Sequence, residues 1–439
     1  MVDVIVIGAG IAGLSAAALL AKAGFEVNVF EKSQFLGGRA TTLNMNGYLI
    51  DFGSHICPSG QESEVCKLIQ FVGAQEVKVY PFEDMLIYFK EKLRKESQMI
   101  GSGAPRKAVD RVYSEMSTMT FEQTEALDNV TFKNWIEERI YNEEAKEFFF
   151  IHSYIMTSLG DPSEQSAGCV IRRFQDWICS GIRAGYPEGG FISFSNSLAE
   201  KIRGLGGKIY TSTAIKKVVV ENNEAKKIIY GKDNKELSSK IIISSLPIWE
   251  NFKLIPEEEF PVWFVKRVHY LEDESYFAGI GLVAGLNKPL YKEKAYISVL
   301  DTPINHTTLQ LWQPSNFTSS IVPPGKHLLT GGQIVEPYHS MTRKRMNYLA
   351  KNSINEILEL FPDYNWEKNC EWFQNPVLPK RLIDGVHRRP YQVWKQKPDV
   401  VGPIKNLYFC GDTVKGTGCG IDAPVRSAKI AVNAILQKI

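Results

Sequence analysis

Four residues near the start of this 439-residue chain are spaced for ligand chemistry: Gly8, Gly10, Gly13 and Glu31. The glycines follow a GxGxxG pattern in "GAGIAG", and Glu31 lies 18 residues beyond the last of them. A pyrophosphate needs such a set. The first glycine permits a tight turn, the second lets backbone approach the phosphates, and the third lets a helix pack close to a strand. The N–H groups of the helix start, where Ile11 and Ala12 stand, lack intrahelical partners and suit an anion. A carboxylate at Glu31, with Lys32 beside it, would accept hydrogen bonds from a ribose diol.

The elements that must position these residues are legible. "DVIVI" is a continuous β-branched run, as expected of a strand buried on both faces. "LSAAALLAKAG" predicts a helix ending at Gly24, and "EVNVFE" predicts a second strand ending in Glu31. This is a whole β-α-β unit rather than an isolated glycine motif. The 18 uncharged residues from Val4 to Ala21 also have the composition of a membrane span or a signal peptide. Against that, the chain opens Met-Val-Asp with no basic region, and three glycines break the first ten residues of the run.

The fingerprint alone leaves NAD and FAD open, because both carry an adenosine diphosphate. The stretch "EKSQFLGGRATT" favours FAD. Gly37 and Gly38 would let the chain pass close to an extended ligand. Arg39 would place a cation beside the pyrophosphate or the sugar chain beyond it.

A second constellation lies near the C-terminus. "LYFCGD" predicts a short buried strand ending at Gly411 and Asp412, whose carboxylate suits a ribityl hydroxyl. "GTGCGID", with Cys419, Gly420, Ile421 and Asp422, leads into "APVRSAKIAVNAILQKI", which is apolar at helical spacing. Asp422 is the expected N-cap, with Pro424 in the first turn. The positive end of that helix would face the edge of a flavin ring where negative charge gathers on reduction. Ile421 stands where a third glycine would be, so this is not a second dinucleotide fingerprint.

With these blocks in view, the chain resembles the flavin-dependent amine oxidase and phytoene desaturase superfamily. The likeness runs through "VIVIGAGIAGLSAAALLAKAGFEVNVFEKSQFLGGRATT", then "GYLIDFGSHI", then "YPEGGFISFSNSLAEKIRGLGGKIYTSTAIKKVVVENNEAKKIIYG", and finally "NLYFCGDTVKGTGCGIDAPVRSAKIAVNAIL". The resemblance implies one FAD, held non-covalently. At the matched positions it adds Ser54, His55 and Gly38 to the cofactor set, and it sets the backbone of Ile215 against the adenine. It implies an α/β fold with a doubly wound Rossmann-type FAD-binding domain built from three chain segments. An α+β substrate domain would come from two insertions. The expected segments are 1–70, 186–250 and 400–439 for the cofactor domain, and 71–185 and 251–399 for the substrate domain.

The first insertion reads as largely helical, notably in "FKNWIEERIYNEEAKEFFFIHSYIMTSL". The second has strand-like runs, "SYFAGIGLVAGL", "AYISVL" and "KHLLTGGQIV", followed by a helix in "RKRMNYLAKNSINEILELF". Met346, Ala350, Ile354, Ile357 and Phe361 recur there at helical spacing as a core stripe, and Pro362 stops the helix.

Composition narrows the class. The chain is 44% hydrophobic and 23% charged, ordinary for a globular enzyme, and its net charge of +2 gives no reason to expect nucleic acid. Seven scattered cysteines with no CxxC pair read as reduced thiols in the cytoplasm. Seven histidines form no HxxxH or Cys/His cluster, so no metal site is expected.

The reaction is less sharply written than the cofactor. No catalytic triad is visible, and a flavin enzyme does not need one. His55 and Cys419 are the weak catalytic candidates; the plainer reading of His55 is a packed, hydrogen-bonded side chain. Phe148, Phe149, Phe150 and Tyr154 could line an apolar tunnel, but consecutive helical residues cannot all face one way. "GTGCGIDAPVRSA" resembles the phytoene desaturase branch, which implies an apolar polyene or prenyl-type substrate. An amine oxidase or protoporphyrinogen oxidase-like activity is the alternative, and an electron-relay flavoprotein is a third. "VYPFEDMLIYFKEKLRK" mixes apolar and basic residues and could touch a membrane surface; otherwise it is a strand and a solvated turn.

Overall fold

The computed structural model describes residues 1–53, 56–157, 159–177, 183–273, 278–335, 342–378, 389–418 and 420–438. The long uncharged run near the N-terminus is divided between a strand and a helix, β1 (Val2–Ile7) and α1 (Ile11–Lys22), with the glycine turn between them. β2 (Val27–Phe30) and α2 (Glu64–Val72) follow. Much later come α3 (Ile192–Gly204), β3 (Lys208–Tyr210) and β4 (Lys235–Ser244). The set closes with β5 (Leu407–Phe409) and α4 (Asp422–Leu436).

These pieces make one sheet. Its parallel strands run in the order β3-β2-β1-β4-β5. Ile7 lies opposite both Phe30 and Ser244, and Ser244 lies opposite Phe409. β1 is buried nearly throughout, which explains its unbroken apolar sequence: a central parallel strand has no wet face. α1, α2, α3 and α4 pack on one another as a helical layer. α1 can sit close to this layer because its buried positions are mostly small, including Ala16, Ala17 and Ala18. The first half of β4 turns to antiparallel pairing with Glu224–Tyr230, which in turn pairs with Ile215–Glu221. Helix Val262–Asp273, from the second expected insertion, adds to this core by stacking Phe264 on Phe409.

A second, eight-stranded sheet contains Ala278–Leu286, Ala295–Val299, Thr308–Trp312, His327–Val335 and Cys370–Gln374. It is completed by the short strand Val377–Leu378, which pairs with Ala278–Leu286, and by a hairpin from the first insertion, Asp84–Phe89 and Lys92–Lys95. Asp84–Phe89 pairs in parallel with Ala295–Val299, more than two hundred residues away in sequence. The expectation of a largely helical first insertion therefore holds only beyond residue 103. There Ala104–Thr118, Phe132–Glu137, Glu143–Thr157 and Ala167–Trp177 share an aromatic core.

Helix Arg343–Leu360 ends one residue before Phe361, and its expected stripe faces the core, with Ile357 buried and Met346, Ala350 and Phe361 packed half-buried against it. Its fully buried residues are Leu349, Ser353, Glu356 and Ile357. Glu356 is buried because its carboxylate accepts the N–H groups of Ile304 and Asn305 at 3.1 and 2.6 Å.

Candidate functional site

Parallel register brings the scattered candidates to one edge. Gly8 follows β1, Glu31 follows β2, Ser245 follows β4 and Gly411 follows β5, all at the carboxyl ends of adjacent strands. The chain leaving β3 reaches Ile215 on the same side, since Thr213 N–H donates to the Glu31 carbonyl at 2.8 Å. A crevice at this edge is where open α/β sheets hold ligands.

The three glycines are distinguished by what a side chain would meet. Gly8 has φ +95, and a Cβ there would lie 2.6 Å from Ser245 Oγ. A Cβ on Gly13 would lie 2.1 Å from the Gly8 carbonyl oxygen, so helix and turn touch backbone to backbone. At Gly10 the nearest atom is the Gly37 carbonyl oxygen, 4.0 Å away. That is an ordinary contact, so Gly10 is glycine for a reason outside the protein's own packing, as close approach of a phosphate to this turn would require. The N-terminus of α1 has no side-chain cap and no acidic residue in its first turn. The N–H groups of Ile11, Ala12 and Gly13 thus keep their hydrogen-bonding capacity for an anion.

Glu31 is buried and doubly engaged. One oxygen accepts Ala9 N–H at 2.9 Å, which ties it to the glycine turn, and the other accepts Ser33 N–H at 2.8 Å. Each carboxylate oxygen retains a lone pair for a further donor. Lys32 points to solvent. Gly37 and Gly38 cross Gly10 with positive φ of 93 and 58, bridged by Gly37 N–H donating to the Ala9 carbonyl at 2.8 Å.

Arg39 and Asp412 meet across the whole length of the chain. The Arg39 Nη2 donates to both Asp412 carboxylate oxygens, at 2.7 and 2.6 Å. Burial pushes the Asp412 carboxyl up, but the contact with Arg39 and the charge of Lys397 outweigh it and hold the group below its ordinary range. Gly411 takes φ +136, and its N–H donates to Ser427 Oγ at 3.1 Å. Lys397 is buried behind this turn, its ammonium donating to the Asp412 carbonyl at 2.6 Å. Burial pulls the Lys397 ammonium down to about 8.

Asp422 is not an N-cap of its own helix. It is the first residue of α4, whose N-cap is Ile421 with no side-chain bond. Its carboxylate instead accepts Glu64 N–H at 2.8 Å and so caps α2, while Ser59 Oγ reaches it at 3.4 Å. Burial pushes Asp422 up to about 6 against the pull of Arg426. With Asp422 turned aside, the start of α4 carries no side-chain cap, and Gly420 before it has φ +52. The matched Asp51 likewise turns inward. It accepts from Thr42 Oγ1 at 2.6 Å, from Phe191 N–H at 3.0 Å and from the Tyr186 hydroxyl, and burial pushes it up to about 6. Ser54, His55 and Cys419 lie outside the described residues.

Sequence reasoning missed Ser245, Lys397 and Ser427. Ser245 donates to the backbone oxygens of Ile7 and Gly8 at 2.9 and 3.1 Å and holds the glycine turn from below. The place of Ser245 just past a strand parallel to β1 is the signal that could have found it. Nothing local marks Lys397.

The aromatic run separates. Phe148 and Phe149 are core, packed with Tyr113 and Phe174, so they line no tunnel. Phe150 and Tyr154 face a cleft of about 730 Å³ together with Phe89, Ile151 and Leu300. Its mouth carries the ion pairs Lys90–Glu147 and Lys146–Glu143. The run proposed for membrane contact is the sheet hairpin already described, and no described helix is long and apolar enough to cross a membrane.

Against known proteins, the family profile for flavin containing amine oxidoreductases matches residues 11–436. The chain belongs to that family. Membership in the flavin-containing amine oxidoreductases carries a flavin cofactor with it. An uncharacterized protein of Methanocaldococcus jannaschii is 28% identical over 221 residues, which is 49% of this chain and 53% of that one. The chain thus spans about half of that relative. The chloroplastic prolycopene isomerase of Daucus carota is 24% identical, covering 82% of this chain and 67% of that protein. The 15-cis-phytoene desaturase of an Oncidium hybrid cultivar is 20% identical, covering 99% and 78%. Among solved structures, an oxidoreductase from Methanosarcina mazei superposes with a TM-score of 0.78 at 23% identity, covering 99% and 100%. The cyclohexylamine oxidase from Brevibacterium oxydans superposes at 0.69 and 17% identity, covering 100% and 99%. These structures share the fold.

Proposed function

We propose that this chain is an FAD-dependent oxidoreductase that moves a hydride between the cofactor and an apolar, polyene or prenyl-type substrate. The observation that carries the cofactor half is the convergence of Gly10, Glu31 and the Arg39–Asp412 pair on one sheet edge. In this reading the ribose takes the free lone pairs of Glu31. The pyrophosphate lies over Gly10 and accepts the N–H groups of Ile11, Ala12 and Gly13. Arg39 sits beside the sugar chain, where Asp412 fixes its guanidinium. Lys397 positions Asp412 by holding its carbonyl. The uncapped start of α4 favours negative charge at the ring edge. When bound, FAD supplies an acceptor or donor for a hydride. The chain holds it non-covalently, through these contacts alone.

Segments 1–70, 186–250 and 400–439 form the cofactor unit in this proposal, and the two insertions enclose the substrate and exclude water. The relatives that cover most of the chain are named as a prolycopene isomerase and a 15-cis-phytoene desaturase, which supports the apolar reading. The cleft between the insertions supports it in part, through an apolar wall of Phe89, Phe150, Ile151, Tyr154 and Leu300 facing a charged one. An amine substrate is the second reading, favoured by the fold shared with amine oxidases.

Acid precipitation of the purified protein should release FAD into the supernatant. Anaerobic bleaching of the yellow colour by a prenyl lipid or carotenoid in detergent, and not by primary amines or polyamines, is the expected result. Rapid bleaching by an amine alone would reverse the substrate assignment.

A further inference from the structure

Two thiols stand together next to the turn that carries Asp422. Cys57 Sγ donates to the Gly60 carbonyl at 3.3 Å, and Cys66 Sγ lies 3.9 Å from the same oxygen. Both sulfurs thus converge on one carbonyl oxygen, which brings the two side chains together. Cys57 is wholly buried, while Cys66 keeps a small exposed area, 7%. Neither thiol is used in the cofactor reading above.

Their environments differ in kind. Cys66 is the third residue of α2, where the helix dipole favours a negative sulfur. The Cys57 thiol beside it pulls the Cys66 thiol down, against its burial and the charges of Asp422 and Glu76. The Cys66 sulfur beside it, with burial, pushes the Cys57 thiol up. One sulfur is disposed to be a nucleophile and the other to remain a protonated thiol at its side.

We propose that Cys57 and Cys66 form a peroxide-reactive pair that closes to a reversible disulfide. The Cys66 thiolate attacks one oxygen of a hydroperoxide. An S–O bond forms, the O–O bond breaks, and the departing oxygen leaves as water or alcohol after taking a proton. The Cys57 thiol, losing its proton, then attacks the sulfenic sulfur. The S–S bond forms, the S–O bond breaks, and water leaves. Two thiols are oxidised by two electrons, and one peroxide is reduced.

Closure would act on the site through Asp422. The segment between the cysteines contains Ser59 and Glu64, which hold both oxygens of the Asp422 carboxylate. Drawing Cys66 onto Cys57 moves the start of α2 and loosens that grip.

The test uses the full-length holoprotein and hydrogen peroxide. Peptide mapping after alkylation should find one linked pair containing Cys57 and Cys66, lighter by two hydrogens and restored by dithiothreitol. In Cys57→Ser the sulfenic acid on Cys66 should persist, one oxygen heavier and trapped by dimedone. In Cys66→Ser no oxidation should appear at Cys57. The proposal is overturned if the wild-type protein, at peroxide doses that oxidise its other cysteines, still alkylates fully at Cys57 and Cys66. Oxidation of Cys66 straight to the sulfinic acid with Cys57 left free would overturn it equally.

Discussion

Glu31 offers the sharpest test of the cofactor site, because it has two tasks that separate by experiment. Its carboxylate holds the glycine turn through Ala9 N–H at 2.9 Å and the following loop through Ser33 N–H at 2.8 Å. Hydrogen bonds to a charged group contribute about 1.5–3 kcal/mol each, and the half-buried Ser33 contact falls below that range. Glu31→Ala in the apoprotein should therefore cost about 2–3 kcal/mol of unfolding free energy, measured by urea titration. The ribose contact is a further term. Its loss removes about 1.5–3 kcal/mol of binding, so the FAD dissociation constant should rise about 10- to 150-fold. Glu31→Gln keeps the shape and one acceptor oxygen, so it should lower apo stability less but still weaken FAD. Fluorescence titration of each apoprotein with FAD reads the second effect free of the first. If either variant loses apo stability while its FAD affinity stays within twofold of wild type, Glu31 is only a tether and the ribose assignment fails.

Gly10→Ala and Gly13→Ala should part company. The first would place a Cβ in ordinary contact, 4.0 Å from the Gly37 oxygen, and should leave the apoprotein as stable as wild type while abolishing FAD retention; the second meets the Gly8 oxygen at 2.1 Å and should yield little folded protein. Circular dichroism with flavin absorbance distinguishes them. Asp51 is raised to about 6 in the folded state, so the native protein binds its proton more tightly than the unfolded chain does. Stability should therefore fall as pH rises from about 4 to about 6, and Asp51→Asn should flatten that limb of the urea-midpoint profile. Lys397 is lowered to about 8 from 10.5, so the unfolded chain binds its proton more tightly, and stability should rise with pH across that interval. Lys397→Met should remove the rise and should weaken FAD retention by freeing the Asp412 carbonyl.

The cofactor half of the fold was legible because its determinants are local. β1, the glycine turn, α1 and Glu31 occur within the first 31 residues, and each step fixes the next by backbone geometry alone. Gly411 and Asp412 could be read for the same reason, as a turn between a strand and a helix. What the sequence hid is pairing at a distance. Nothing near Arg39 says that its partner is Asp412, and nothing near Asp422 says that it caps α2 in place of α4. Asp84–Phe89 looks like an isolated apolar run until Ala295–Val299 supplies its neighbour. Lys397 reads as one of many lysines because burial is a property of the assembled core. The aromatic cluster 148–150 was ambiguous because helical periodicity sets which residues share a face, not which face is wet.

The sheet that carries the site is sewn from both ends of the chain, and this sets a clock on its assembly. β1 needs β4 on one side, and β4 needs β5, so the sheet lacks a strand until Leu407–Phe409 have emerged. At ordinary synthesis rates, about 20 to 75 s separate the appearance of Arg39 from that of Asp412. During that wait the glycine turn has no Asp412 beside it, and α1 has no α4 to lie against. A nascent chain therefore cannot complete its cofactor crevice before β5 has emerged. A parallel pairing between residues this far apart closes slowly. The finished crevice is also a record of completion: a chain that stops short of β5 presents the fingerprint without the means to close it.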